Sequence, residues 1–179
     1  MRGPRTFARM SDRATADRRY WLLKSEPTSF GFDDLLAVYG RTTWWDGVRN
    51  YQARNFMRDE MRPGDGMLFY HSNIDPAGVA GLAGVASAAR PDATAFDPAH
   101  AGYDPKSRPD APTWVTVEVR AVERFPALVS LAALRADPRC ATLQVLRRGN
   151  RLSVTPVSEA EWNAVCRLGR RGASGAGGA

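Results

Sequence analysis

Residues 114–125, WVTVEVRAVERF, alternate along their length in a run rich in β-branched and aromatic side chains. A period of two marks a strand with two unlike faces, so a sheet has to be part of the fold. Val115, Val117 and Val119 share one face, and Trp114, Thr116 and Glu118 share the other. Burial of Trp114 is expected, although its facemates are polar. Shorter strands are expected at residues 20–24 (YWLLK), 67–71 (MLFYH), 78–88 and 151–157 (RLSVTPV), with a strand or turn at 44–48. The small residues of 78–88 suggest close approach of another backbone. Phe32, Leu35, Leu36 and Tyr39 fall at helical spacing, with Gly31 as a cap and Gly40 as a stop. Asn50 opens an amphipathic helix through Met61 that ends at Pro63-Gly64. Residues 130–136 read as a short helix capped by Ser130, and 158–168 as a helix with a Ser158/Glu161 capping box. Residues 91–112, with five prolines and four aspartates, form a long loop. Helices and strands do not alternate regularly. The fold class expected is therefore α+β, a mostly antiparallel sheet or small barrel flanked by helices.

Charge narrows the function. The chain of 179 residues carries a net charge of +6, but residues 20–168 hold 17 Lys+Arg and 17 Asp+Glu. The whole surplus lies in residues 1–19 and 169–179. The first is expected to be a flexible basic arm and the second a disordered Gly/Ala-rich tail, bracketing one domain at 20–168. A balanced domain does not hold nucleic acid by bulk charge and needs a local patch or a pocket. No run approaches the ~20 apolar residues of a membrane span. With Cys140 and Cys166 as the only cysteines and His71 and His100 as the only histidines, neither a zinc site nor a disulfide framework is expected. A reducing, cytoplasmic setting is the default. The sequence contains no GxGxxG leading into a helix and no GxxxxGK[ST], so no cofactor is expected.

The runs YWLLKSEP, WWDGVRNYQARNFMRDEMRPGD, LFYHSN and RLSVTPV follow one another in that order. Together they closely resemble the EVE domain family, whose fold is PUA-like and related to YTH modules. The resemblance covers about residues 20–168. It implies a non-catalytic reader of DNA or RNA that grips a base, a modified one, in an aromatic and polar pocket.

Each run also has a reading of its own. Lys24, Ser25 and Glu26 place a cation, a hydroxyl and a carboxylate after a strand, either as a pocket wall or as a solvated strand end. Trp44 and Trp45 point to opposite faces if they are extended. Trp45 holds the family's motif position and is the expected base platform, leaving Trp44 structural. Arg49, Asn50 and Gln52 gather at a helix start, where amides can pair with a base edge and arginine can clamp phosphate. The plain alternative is a capped helix with a solvated face. His71 and Ser72 are expected to hydrogen-bond a ligand. A hydrolase or transferase pairing His71 with Glu26 or Asp46 is the second reading, weakened by the lack of a GxSxG elbow. A protein adaptor using the 91–112 loop is the third. In the basic 135–151 stretch, Arg151 and the nearby Ser153 lie in or beside the family's RLSV run and are expected at the ligand, with Gly149-Asn150 as a hairpin turn. Thr155 stands where the family commonly has Gln, which points to a shifted ligand preference.

Overall fold

The computed structural model describes residues 17–171. Seven strands build the protein: β1 (Tyr20–Ser25), β2 (Thr42–Trp45), β3 (Gly66–His71), β4 (Gly78–Val85), β5 (Arg90–Pro91), β6 (Val115–Ser130) and β7 (Val154–Val157). They pair in the order β2-β6-β4-β3-β1-β7, and β5 adds to β6 as a continuation of the β4 edge. Every pairing is antiparallel except β1 with β3. The mostly antiparallel α+β sheet expected from sequence is what forms. Its strand order runs from β2 to β7 without closing, so the small-barrel alternative is not realised.

The helices are short apart from the last: α1 (Pro27–Phe30), α2 (Phe32–Ala37), α3 (Tyr51–Asn55), α4 (Leu131–Ala136) and α5 (Glu159–Arg171). Pro27 starts α1, where a missing N–H costs nothing. The Asp34 carboxylate accepts the Gly31 N–H at 2.6 Å, which anchors the start of α2. That helix stops at Ala37, short of the expected Tyr39, whose ring is fully exposed, and Gly40 turns the chain at φ 66°. The Asn50 side chain caps α3 by accepting the Gln52 and Ala53 N–H groups, and the helix continues as a wide π turn over Phe56–Glu60. Ser158 and Glu161 form the expected reciprocal cap before α5. That helix runs on through Gly169, Arg170 and Arg171, past the expected boundary at 168. Arg19, expected in the N-terminal arm, is instead fastened to the domain through Asp65, Glu60 and Gly66, and residues 1–16 and 172–179 lie outside the described residues.

Alternation along β1 sorts the core into two layers. Trp21 and Leu23 pack with Phe32, Leu35, Met57, Met67, Phe69, Val117 and Val119 beneath α2 and α3. Leu22 packs on the other side with Leu68, Leu82, Phe125, Leu134, Trp162 and Val165 beneath α4 and α5. The expected close approach in β4 is real. A methyl on Gly81 would lie 2.5 Å from the Glu123 carbonyl oxygen and 2.7 Å from the Phe32 ring. Trp114 is buried despite its polar facemates, because Tyr51 covers it and Asp104 accepts its indole N–H at 2.7 Å. Gly149 does take a positive φ, 76°, but no strand precedes it, so Gly149-Asn150 is not a hairpin turn.

Candidate nucleic-acid interface

Because β1 and β3 are parallel, their C-terminal ends lie at the same end of the sheet, and the motif residues collect there. Ser25 stands opposite His71 in the register. The Ser72 N–H donates to the Ser25 carbonyl at 2.9 Å, and the Ser72 hydroxyl reaches the same oxygen at 3.4 Å. Asn73 donates to Glu26 at 2.6 Å. From β7's side, the Ser153 carbonyl accepts the Lys24 N–H at 2.8 Å, and the Lys24 ammonium donates to the Asn150 carbonyl at 2.9 Å. Partial burial holds the Lys24 pKa below the ordinary lysine value. Lys24, Ser25, Glu26, His71, Ser72 and Ser153 are thus one laced cluster, drawn from three segments distant in sequence.

Beside this cluster opens a cleft of ≈ 330 Å³ lined by Ser25, Phe30, Thr43, Trp44, Trp45 and Asp46. Its apolar wall is positioned from behind. Trp45 meets Phe69 edge-to-face at 5.6 Å between centroids and Phe30 at 6.2 Å, so it is braced on the core while one part faces solvent. The Ser25 hydroxyl donates to the Phe30 carbonyl at 2.5 Å, tying α1 to β1 across the cleft floor. Asp46 supplies the acidic edge. Desolvation first, and the Asp92 charge second, push its pKa above the ordinary aspartate value, with His100 and Arg49 opposing. An aromatic wall, hydroxyls and a carboxylate can stack a flat ring and accept hydrogen bonds from its edge.

Of the residues expected at a ligand, Ser25 and Trp45 line this cleft. Arg49 does not, and its hydrogen bonds show why. Its guanidinium donates to Asp92 at 2.8 Å, Thr94 at 3.0 Å, the Gly102 carbonyl at 2.7 Å and the Val48 carbonyl at 3.1 Å. It fastens the long 91–112 loop to the domain instead of presenting a free fork. Asn50 spends its side-chain oxygen on the α3 cap, and Gln52 lies exposed on the helix. His71 accepts the Phe32 N–H on Nε2 at 3.0 Å, and burial lowers its pKa against a smaller opposing effect from Asp34. A nitrogen already used as an acceptor is a poor general base. Arg151 is exposed in the loop before β7. Thr155 is buried in β7, so the family difference there faces the core.

Phe30, Thr43, Trp44 and Asp46 were not among the expected ligand residues. Trp44 and Asp46 flank Trp45 directly in the sequence, so their proximity was visible. Phe30 was not, because only the α1 turn brings it opposite β2.

The EVE domain family model matches residues 19–168. The chain belongs to the EVE domain family. Human thymocyte nuclear protein 1 is 39% identical over 165 residues, which is 83% of this chain and 73% of that protein. This EVE domain superposes on the structure of a hypothetical protein from Leishmania major with TM-score 0.82 and 42% identity, covering 88% of this chain and 98% of that one. The human THYN1 protein, solved in complex with DNA containing 5-methylcytosine, matches with TM-score 0.77 and 39% identity over 84% of this chain and 96% of that one. A Zygosaccharomyces rouxii YTH domain, 16% identical with TM-score 0.51, shares the fold, as expected of an EVE domain.

Proposed function

We propose that this EVE domain is a non-catalytic reader that takes one base of a DNA or RNA strand, a modified base, into the cleft bordered by Trp44, Trp45 and Asp46. The observation that carries this is the pairing of an aromatic wall with a carboxylate in a cleft of ≈ 330 Å³. A base stacked on an aromatic gains about 1–3 kcal/mol. An ionised Asp46 is suited to accept from an exocyclic amino group, the pairing that carboxylates make with cytosine N4. A methyl group added to such a base would displace water from the Phe30 and Trp45 surfaces. The THYN1 complex with methylated DNA, at 39% identity, supports the same ligand class here. Unpaired strands are favoured, since extruding a base from a duplex costs a few kcal/mol. The two buried free thiols, Cys140 and Cys166, suit the proposed reducing, cytoplasmic setting. The occupied Nε2 of His71 weighs against the hydrolase reading.

The test is titration with single-stranded oligonucleotides that differ only in one 5-methylcytosine, with mass analysis of the recovered strands. Wild type should prefer the modified strand and return it unchanged. Asp46→Asn, which keeps the side-chain shape, should lose affinity, and Trp45→Leu should lose about fivefold to a hundredfold through stacking. Folded variants that keep full affinity and full discrimination would move the site elsewhere, and a change in strand mass would establish catalysis.

A further inference from the structure

Arg90 occupies a position that the cleft alone does not explain. β2 and β5 flank β6 on opposite edges, β5 continuing the β4 side: Trp44 stands opposite Glu118, Trp45 opposite Val117, and Arg90 opposite Thr116. Trp44 and Arg90 are two rungs apart and therefore share a face of the sheet. The guanidinium carbon of Arg90 lies 3.1 Å from the centroid of the Trp44 ring. Arg90 is exposed, and the Trp44 beneath it borders the cleft.

Most arginines around this charge-balanced domain are already spent. Arg49 is paired with Asp92, Arg58 with Asp59, Arg108 with Asp110, Arg124 with Asp33, Arg139 with Asp137 and Arg170 with Glu123. Arg54 donates to the Thr113 carbonyl and to Asn55. Among the described residues Arg90 has neither a carboxylate partner nor a hydrogen bond, only the tryptophan. Stacking holds a guanidinium by its flat face and leaves its N–H donors in the plane, directed to the sides. That arrangement fixes a cation without consuming its hydrogen-bonding capacity, and it does so on a tryptophan that borders the cleft.

We infer that Arg90, held on Trp44, is a phosphate-binding residue that grips the backbone of the strand next to the base in the cleft. The inference rests on the proposed reader function and names a second subsite for it. A nucleotide cannot enter the cleft base-first without bringing its own phosphates to the rim, where the planar fork matches two phosphate oxygens. The two subsites divide the work. Phosphate contact gives affinity without sequence information, while the cleft reads the base.

The experiment compares wild type, Arg90→Ala, Arg90→Lys and Trp45→Leu, using methylated and unmethylated single-stranded oligonucleotides over a range of salt concentrations. Arg90→Ala should bind both strands several-fold more weakly, leave their ratio unchanged, and flatten the slope of log affinity against log salt by about 0.7, the value of one phosphate on a single strand. Arg90→Lys should restore most of the slope, because it keeps the charge. An Arg90→Ala protein with unchanged affinity and slope, in a series where Trp45→Leu loses discrimination, overturns the phosphate role and leaves the cleft standing. Loss of methyl discrimination in Arg90→Ala also overturns it, by making Arg90 part of the base pocket. If Trp45→Leu is silent while Arg90→Ala loses affinity and slope, the phosphate contact stands and the proposed base site fails.

Discussion

Replacing Arg49 by methionine separates a structural arginine from a ligand-binding one. Asp92 is 1% exposed and accepts from the Gly47 N–H at 2.9 Å, the Arg49 guanidinium at 2.8 Å, and the Thr94 N–H and hydroxyl at 3.0 and 2.7 Å. Methionine retains much of the apolar stem but leaves that carboxylate with neutral donors only. One charge-assisted bond contributes about 1.5–3 kcal/mol. Breaking a fully buried pair costs about 3–5 kcal/mol. Arg49 is 23% exposed, so water screens part of the loss, and about 3 kcal/mol is expected. For a domain of this size each kcal/mol lowers Tm by about 2–4 °C, giving a drop of about 6–12 °C in a circular-dichroism melt. Asp92→Asn should be non-additive with it, since both remove one interaction. Burial alone would raise the Asp92 pKa, but the bonds from Thr94, Arg49 and Gly47 outweigh burial and hold it below the ordinary 3.8. Its stabilising contribution is therefore complete above that value and lost as pH falls through the depressed one. The gap between wild type and mutant should be flat near neutrality and narrow only in acid. A melt unchanged within about 1 °C, together with collapsed oligonucleotide binding, would refute this and return Arg49 to the ligand role that its motif suggested.

His71 makes stability depend on pH nearer neutrality. Its pKa is lowered from 6.5 by burial, so its contribution is full above that value and declines as pH falls through the depressed one. His71→Gln should remove this slope below pH 6.5 in denaturant titrations, and a slope that survives would assign it to other groups. Gly81→Ala should destabilise by about 1–3 kcal/mol or more, because the nearest obstacle is the Glu123 backbone carbonyl, which cannot rotate away. An unchanged denaturation midpoint would mean that β4 and β6 can separate freely there.

Much of the fold could be read from local pattern because period and caps are local properties. The valines of β6 alternate, Asn50 and Ser130 cap helices, and Ser158 pairs with Glu161 at the start of α5. The site was only half legible. Its strings identified the right segments, but a string does not say which polar group is consumed within the protein. Arg49 and His71 have the chemistry of ligand contacts, yet their partners Asp92 and Phe32 lie 43 and 39 residues away along the chain. Arg90 was invisible for the converse reason. Its two-residue strand has no period, and its importance comes only from standing over Trp44.

The sheet order explains where the cleft is. From β2 to β1 the path crosses β6, β4 and β3. At about 4.8 Å per strand spacing, a flat sheet would hold the two strands about 19 Å apart. Yet Trp45 of β2 meets Phe69 of β3 at 5.6 Å, and Ser25 of β1 lines the same cleft as Thr43 and Trp45. The sheet must therefore curl until its β2 edge faces β1 across the core layer of Phe32 and Phe69. Register shifts between Phe69 and Tyr70 and at two places along β4–β6 supply bends of the kind that β-bulges give. This is the geometry of a barrel stopped before its last pairing, which is why the alternation is consistent with either a sheet or a barrel. In a closed barrel the two edge strands, β2 and β7, would hydrogen-bond to each other. Here α1 and its Phe30 are wedged between the facing strands instead. The cleft opens where the curled β2 edge comes back toward the end of β1, with the base-stacking wall on one margin and the laced strand ends on the other.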